Sequence, residues 1–350
     1  MTLSRSQPEF KSYLEGTFSS DHVAVPTRTL NALTSNEEVT FEIIPSNEVK
    51  RPNWFLVTLR LFRPLTLSLS LGPAVVSLAY LTSAAVPYSL ELAVMTLLGT
   101  VLFHGALNYL NDYFDHVKGE DRVSPNGGSR AIQQGWVRAV TVKRVGFVLL
   151  GLAIAFGLPA LLIHPSLAIV IAIMAFLAGI EFSSKQLGLK YRGFAEIVLF
   201  LLSGPLVSVG FSWAVAPLAT PVNWGPIILI GTVFGVATVY VYHLKNIEDI
   251  FVDSQTGVRT LAVIQGFDRA KRFLWVLGIA TFISFLTLGA ATDRPLILFA
   301  FAALLLLNIV RVTWQVSRIA SPLSSDMHKV RLLGIRLHWL ILALLLVAIL

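Results

Sequence analysis

The sequence predicts an all-α membrane protein with nine transmembrane helices, and three observations lead there. Of the 350 residues, 55% are hydrophobic and only 13% charged, about half the charged share of a water-soluble globular chain. The apolar residues gather into runs of about 20, each long enough to cross a bilayer as a helix. The basic residues sort to one side of those runs, as cytoplasmic loops do.

In chain order the nine runs occupy residues 64–83, 89–110, 145–163, 166–182, 194–216, 225–244, 273–291, 295–312 and 332–350. The connections at 84–88, 163–166, 214–224 and 291–294 are short and nearly uncharged. Those at 111–144, 183–193, 245–272 and 313–331 are long and carry charge of both signs. Twenty-six of the 27 Lys and Arg residues lie in the amino-terminal segment or in the long connections with their flanks, and only Arg294 lies on the other side. The amino terminus and the long connections are therefore expected in the cytoplasm, and the chain in the cell's inner (cytoplasmic) membrane.

Residues 1–54 are expected to form a polar cytoplasmic extension, and 55–350 the nine-span domain. FEIIPSNEV suits a short strand, and the rest of the extension reads as coil. It lacks a short apolar core with a small-residue cleavage site, so no cleavable signal peptide is expected. The chain has no cysteine, which excludes disulfides, thiolate zinc sites and cysteine nucleophiles. The net charge of +7 is accounted for by basic loops kept on one membrane face, and no nucleic-acid partner is expected.

Carboxylates, scarce elsewhere, concentrate where the second and sixth runs end. The first cluster is NYLNDYFDHVKGED, from Asn108 to Asp121, and the second is KNIEDIFVD, from Lys245 to Asp253. On a continuing helix Asn108, Asn111, Asp112 and Asp115 share one face, and so do Asn246, Asp249 and Asp253, because steps of three and four residues align. The carboxyl end of a helix carries partial negative charge, so aspartates crowded there need a cation. Oxygen-only ligands favour a hard ion such as Mg²⁺, which is commonly shared between carboxylates and substrate phosphates. Lys118, Arg122, Arg130, Lys185, Arg192 and Lys245 lie in the same connections and suit a diphosphate. Taken alone, either cluster could be solvated loop charge; two of like design on one side of the membrane point to a site.

The paired motifs resemble those of the UbiA superfamily of intramembrane prenyltransferases, over about residues 55–350. Arg63-Pro64 in LFRPLTLS is similar to the start of that family's first span, SSKQLGLKYRGFAEIVLFLLSGP to the connection between its fourth and fifth, and NIEDIFVDSQTGVRTLAVIQG to its second aspartate motif. NDYFDHVKGED with Gly119 and Asp121, the GGSRAIQQGW segment and KYRGFAE resemble the menaquinone branch, the 1,4-dihydroxy-2-naphthoate prenyltransferases. The ubiquinone-branch pattern has Asp where this chain has Gly119, and Glu181 stands where the family pattern near Lys185 has Tyr.

The resemblance implies helices around a central cavity, a polyprenyl diphosphate as donor, an aromatic small molecule as acceptor, and membrane lipid as surroundings. Asn111, Asp112, Asp115, Asp121, Asn246, Asp249 and Asp253 are then the metal ligands, with Asp112, Asp115, Asp249 and Asp253 catalytic. Arg63, Lys118, Arg130, Lys185, Arg192 and Lys245 bind the diphosphate, and His104, Asn108, Tyr191 and Glu196 are candidates on the acceptor side. Glu196 could deprotonate the acceptor or hold a basic loop residue; His104, on the motif face, could equally be structural. Tyr240 and Tyr242 read as interfacial aromatics, and Ser203-Gly204-Pro205 as a kink or a close helix crossing. Two other classes are open. One is the same superfamily with 4-hydroxybenzoate, homogentisate, haem, chlorophyllide or a lipid phosphate as acceptor. The other is a divalent-cation transporter, against which the outer halves of the runs are nearly all apolar.

Overall fold

A computed structural model describes residues 1–32, 34–123, 127–167, 169–170, 173–174, 194–216, 221–292 and 295–350. Among these, eight helices are long and apolar enough to cross a membrane. They coincide with eight of the nine expected runs; the other, 166–182, falls largely outside the described residues. The chain divides into two compact units, one of Met1–Pro64 with Val101–Ala155 and one of Leu65–Thr100 with Phe156–Leu350.

The first unit bears out a strand in FEIIPSNEV, which ends at Pro45, and corrects the expectation that the rest of the amino-terminal extension is coil. Strands β1 (Thr2–Ser4), β2 (His22–Leu30) and β3 (Glu38–Pro45) form an antiparallel sheet in the order β1-β3-β2. A short helix, α1 (Phe10–Glu15), packs on it. Alternation in β3 buries Val39 and Phe41 with Leu3, Phe10 and Leu14, as the period of two in a half-buried strand requires. Pro26 argues against a strand in the sequence, yet it sits at a register shift in β2, where its missing N–H costs the ladder little.

Helix α2 (Trp54–Phe62) starts on Asn53, whose side chain accepts from the Leu56 N–H at 2.9 Å. It stops at Arg63, which takes a left-handed backbone (φ 54), and Pro64 prevents continuation. The long helix α4 (Leu90–Lys118) follows α3 (Leu67–Ser83) in the chain. Within the first unit Val57 and Leu61 of α2 pack with Tyr109 and Tyr113 of α4 and with Ala131, Ile132 and Val137. The sheet module reaches the same face of α4. Tyr113 donates to Glu15 Oε1 at 2.7 Å, and His116 Nε2 donates to the Leu14 carbonyl at 3.1 Å. After α5 (Glu120–Val123) the chain turns back into α6 (Ala139–Ile163).

The second unit contains α7 (Ala195–Leu202), α8 (Pro205–Val215), α9 (Trp224–Thr256), α10 (Leu261–Gln265), α11 (Phe267–Ala290), α12 (Pro295–Ser317) and α13 (Ser325–Ile349). Its spine is α9, 33 residues long, which is flanked by α3, α7, α8, α11 and α13. The SGP element is the close crossing that its residues suggest. A Cβ on Gly231 would lie 2.6 Å from Pro205 Cα, and one on Gly235 would lie 2.6 Å from the Phe200 carbonyl. Glycines four apart let backbones meet where side chains would hold them apart. Tyr240 is no interfacial aromatic: it is 1% exposed and its hydroxyl bonds Thr313 Oγ1 at 2.9 Å.

Gly231→Leu should force α8 away from α9. Overpacking of this kind costs about 1–3 kcal/mol, to be read as a lowered midpoint of thermal unfolding in detergent.

Candidate functional site

Both acidic motifs lie on helix that continues past the apolar stretch, as their spacing predicts: α4 runs to Lys118 and α9 to Thr256. Each motif belongs to its own unit and has its own network.

In the first unit, Asp112 is the anchor. Its side chain is 2% exposed and ion-paired with Arg63. The left-handed turn at Arg63 is held by Asn108, whose amide donates to the Phe62 carbonyl at 3.1 Å and to the His104 carbonyl at 3.1 Å. His104 also meets that amide through Nε2 at 2.9 Å. His104 and Asn108, candidates on the acceptor side, thus fasten α2 to α4. Arg63, a candidate for the diphosphate, lies on a motif carboxylate. Asn111 Nδ2 donates to Asp115 Oδ2 at 2.8 Å, which orients the next aspartate of the face.

The GGSR segment closes over this face. The Ser129 N–H donates to Asp112 Oδ2 at 3.1 Å, and Arg130 Nη1 to the Asp121 carbonyl at 2.6 Å. Gly128 and Arg130 take left-handed backbones (φ 59 and 65). A Cβ on Gly128 would run into the Asp121 carboxylate and lie 3.2 Å from Asp112 Oδ1. Asp112 and Asp121, nine residues apart in sequence, therefore flank one glycine, and no other residue fits between them. Asp121 is 5% exposed. Burial pulls the Arg130 pKa below its ordinary range, and the Asp121 charge opposes that shift. Lys118 occupies the last turn of α4.

In the second unit, Glu196 Oε1 accepts from Asn246 Nδ2 at 3.1 Å and from the Leu261 N–H at 3.2 Å. Its other oxygen is buried and, among the described residues, accepts nothing. Glu196 thus orients Asn246, a role outside the two weighed from sequence. Asp249 meets Lys245 at 4.0 Å across one helical turn, a partly exposed pair of little energetic weight. Asp253 lies where α9 ends: its carbonyl accepts from Val258 N–H at 2.9 Å, and Gly257 takes φ 75. Glu248, on the helix between Asn246 and Asp249, pairs instead with Arg331 (3.0 Å) and with His328 (3.2 Å). Sequence reasoning passed over Glu248; its signal is an acid off the face shared by Asn246, Asp249 and Asp253.

Lys185, Tyr191, Arg192 and Glu181 lie outside the described residues. Among the described residues no three His, Asp or Glu side chains converge as a ready-made metal set. The donors are nevertheless all oxygens, and two of them flank Gly128. That fits a hard ion which keeps several waters and takes further ligands from a phosphate, such as Mg²⁺. Asp112 and Asp121 would hold it in the first unit.

The UbiA prenyltransferase family model matches residues 70–326. Curated relatives include the 1,4-dihydroxy-2-naphthoate octaprenyltransferases of Haemophilus influenzae, 30% identical over 57% of this chain and 65% of that protein, and of Mycobacterium leprae, 30% identical over 66% and 76%. The chain thus spans just under two thirds of the Haemophilus protein. The UbiA prenyltransferase domain-containing protein 1 of Gallus gallus is 27% identical over 58% of this chain and 60% of its own length. Among solved structures, the apo UbiA homolog of Aeropyrum pernix K1 superposes with a TM-score of 0.62 at 18% identity, covering 83% of this chain and 99% of that one. The Archaeoglobus fulgidus homolog bound to GPP and Mg²⁺ gives 0.56 at 16%, covering 82% and 99%. At these identities the structures establish the fold.

Arg63→Met should leave the buried Asp112 carboxylate without its guanidinium, at a cost of about 2 kcal/mol. Thermal unfolding should show that loss, with part of it regained in millimolar Mg²⁺.

Proposed function

The chain belongs to the UbiA prenyltransferase family, and we propose that it transfers a polyprenyl group from an allylic diphosphate to 1,4-dihydroxy-2-naphthoate, with Mg²⁺ as cofactor. The observation that carries this reading is the pair of Asp112 and Asp121 carboxylates about Gly128, with Arg63 paired to Asp112 and Arg130 donating to the Asp121 carbonyl. The relatives named for the naphthoate reaction support the acceptor. The multi-pass arrangement supports a lipid-borne donor, and the amino terminus and long connections face the cytoplasm.

In this reading Asn111, Asp112, Asp115 and Asp121 of one motif and Asn246, Asp249 and Asp253 of the other bind the metal and diphosphate. Mg²⁺, when bound, neutralises the leaving diphosphate as a Lewis acid. Lys118, Arg130, Lys185, Arg192, Lys245 and Arg63 donate to phosphate oxygens, where negative charge grows as the allylic C–O bond breaks. Asn246 keeps its orientation through Glu196, since a fixed outer partner sharpens a ligand's placement. Apolar helix faces exclude water, which would otherwise capture the allylic cation. The naphthoate ring carbon bearing the carboxylate attacks that cation; a C–C bond forms, and CO₂ and diphosphate depart. The alternative with support is the same transfer to another acceptor, because the family model does not distinguish acceptors.

The test supplies purified protein with farnesyl or geranylgeranyl diphosphate and 1,4-dihydroxy-2-naphthoate, with and without Mg²⁺. Prenylated naphthoate equal to released diphosphate is expected only with Mg²⁺. Asp115→Asn and Asp249→Asn should each lower it about 100-fold or more. Diphosphate release without that product would reject the naphthoate acceptor. No turnover by folded protein would reject prenyl transfer, and Mg²⁺ uptake into proteoliposomes would then favour a transporter.

A further inference from the structure

We infer that the amino-terminal sheet module positions the third aspartate of the first motif, through a buried ion pair between Glu37 and Arg122. The inference rests on Asp121 being a ligand of the Mg²⁺–diphosphate, as proposed above.

The two side chains are both 0% exposed. Arg122 Nη2 donates to Glu37 Oε1, and Nη1 donates to the His116 carbonyl and, at 3.4 Å, to that of Val117. Those carbonyls belong to the last turn of α4, where no helical partner exists for them. One guanidinium thus ties the end of α4 to the module. Glu37 is itself fixed: its Oε2 accepts from Arg5 Nη1 at 3.2 Å, and its carbonyl from the Arg5 N–H at 2.8 Å.

Gly119 is shaped by the same pair. It closes α4 by donating to the Asp115 carbonyl at 3.0 Å and takes φ 109, a region that L side chains avoid. A Cβ there would stand 3.0 Å from both Arg122 Nη2 and Glu37 Oε1. The acid that a ubiquinone-branch motif carries at this position would be strained here and would crowd the ion pair, and the chain places an acid two residues later, on α5. A helix of one turn has no stability of its own, so α5 is oriented by what holds its residues. Arg122 is held by the module, and Asp121 by Arg130 and the Gly128 segment. A buried ion pair is weak evidence for stability, because well-packed apolar residues serve that end as well. Its directional hydrogen bonds do fix α5 in one register, with Asp121 against Gly128. Glu37 is in this sense a positioning residue: it acts on the site through Arg122.

The test uses the full-length protein in detergent, with Glu37→Ala, Glu37→Gln and, as control, Glu42→Ala, an exposed acid of β3. Hydrogen exchange of the peptide spanning residues 116–123 is followed during titration of Mg²⁺ in the presence of inorganic diphosphate. Glu37→Ala should speed exchange without Mg²⁺ and raise the half-protecting Mg²⁺ concentration about tenfold, as loss of an outer partner does at metal sites. Glu37→Gln should shift both less, because its amide oxygen still accepts from Arg122; it also carries the comparison if the alanine variant fails to fold. Exchange or half-protection equal to that of Glu42→Ala would overturn the inference, as would a parent that gains no protection from Mg²⁺. Protection with no prenyl transfer by the parent would instead overturn the proposed function and leave the positioning role standing.

Discussion

Negative charge at the wrong end of a helix is the constraint on which this protein is built. The aspartates of α4 and α9 stand at carboxyl termini, where the helix dipole is already negative, and Asp112 is nearly without solvent. Each carboxylate there needs a positive partner or a donor. The first unit supplies them from a helix stop and a loop. Because α2 ends in a left-handed residue before Pro64, Arg63 reaches Asp112. Because Gly128 has no side chain, the Ser129 N–H reaches the other oxygen of the same carboxylate. These partners make the acids tolerable within the protein; a dication shared with a diphosphate is the further charge that the proposed chemistry adds.

Helix α4 is divided between two duties. Asn108, Asn111, Asp112 and Asp115 form the polar face, while Tyr109, Tyr113 and His116, at steps of four and three, form the other. Tyr113 and His116 of that second face bond the residues ending α1. The amino-terminal module is therefore attached to the helix that carries the motif, along the turns that present it. In the second unit the comparable role falls to single side chains. Glu196 holds Asn246, and Arg331 holds Glu248 away from the motif face.

What could be read in the sequence follows from how local each feature is. Spans are legible because an apolar run of sufficient length is a local property, and the motifs because three- and four-residue steps need only a continuing helix. Of the sheet module only the strand in FEIIPSNEV is legible: β1 has just three residues, Pro26 interrupts the pattern of β2, and β1 pairs with β3 across more than 30 residues of chain. Glu37 and Arg122 are 85 residues apart, and nothing in either neighbourhood announces the other. Arg63 and Arg130 were legible as cations near the motif. That they engage its aspartates depends on two left-handed backbone positions, which composition does not reveal. Glu196 is legible as an acid at a span's start, while its pairing with Asn246, 50 residues on, depends on the fold.

We propose that each of the two aspartate motifs holds a divalent cation with a diphosphate. Mn²⁺ bound in place of Mg²⁺ tests it most directly, by electron paramagnetic resonance on purified protein with farnesyl thiodiphosphate, a donor that ionises very slowly. A bound-Mn²⁺ signal should appear with the thiodiphosphate and be lost in both Asp112→Asn and Asp249→Asn. A signal unchanged in those two variants, in protein with the parent's thermal stability, would contradict it.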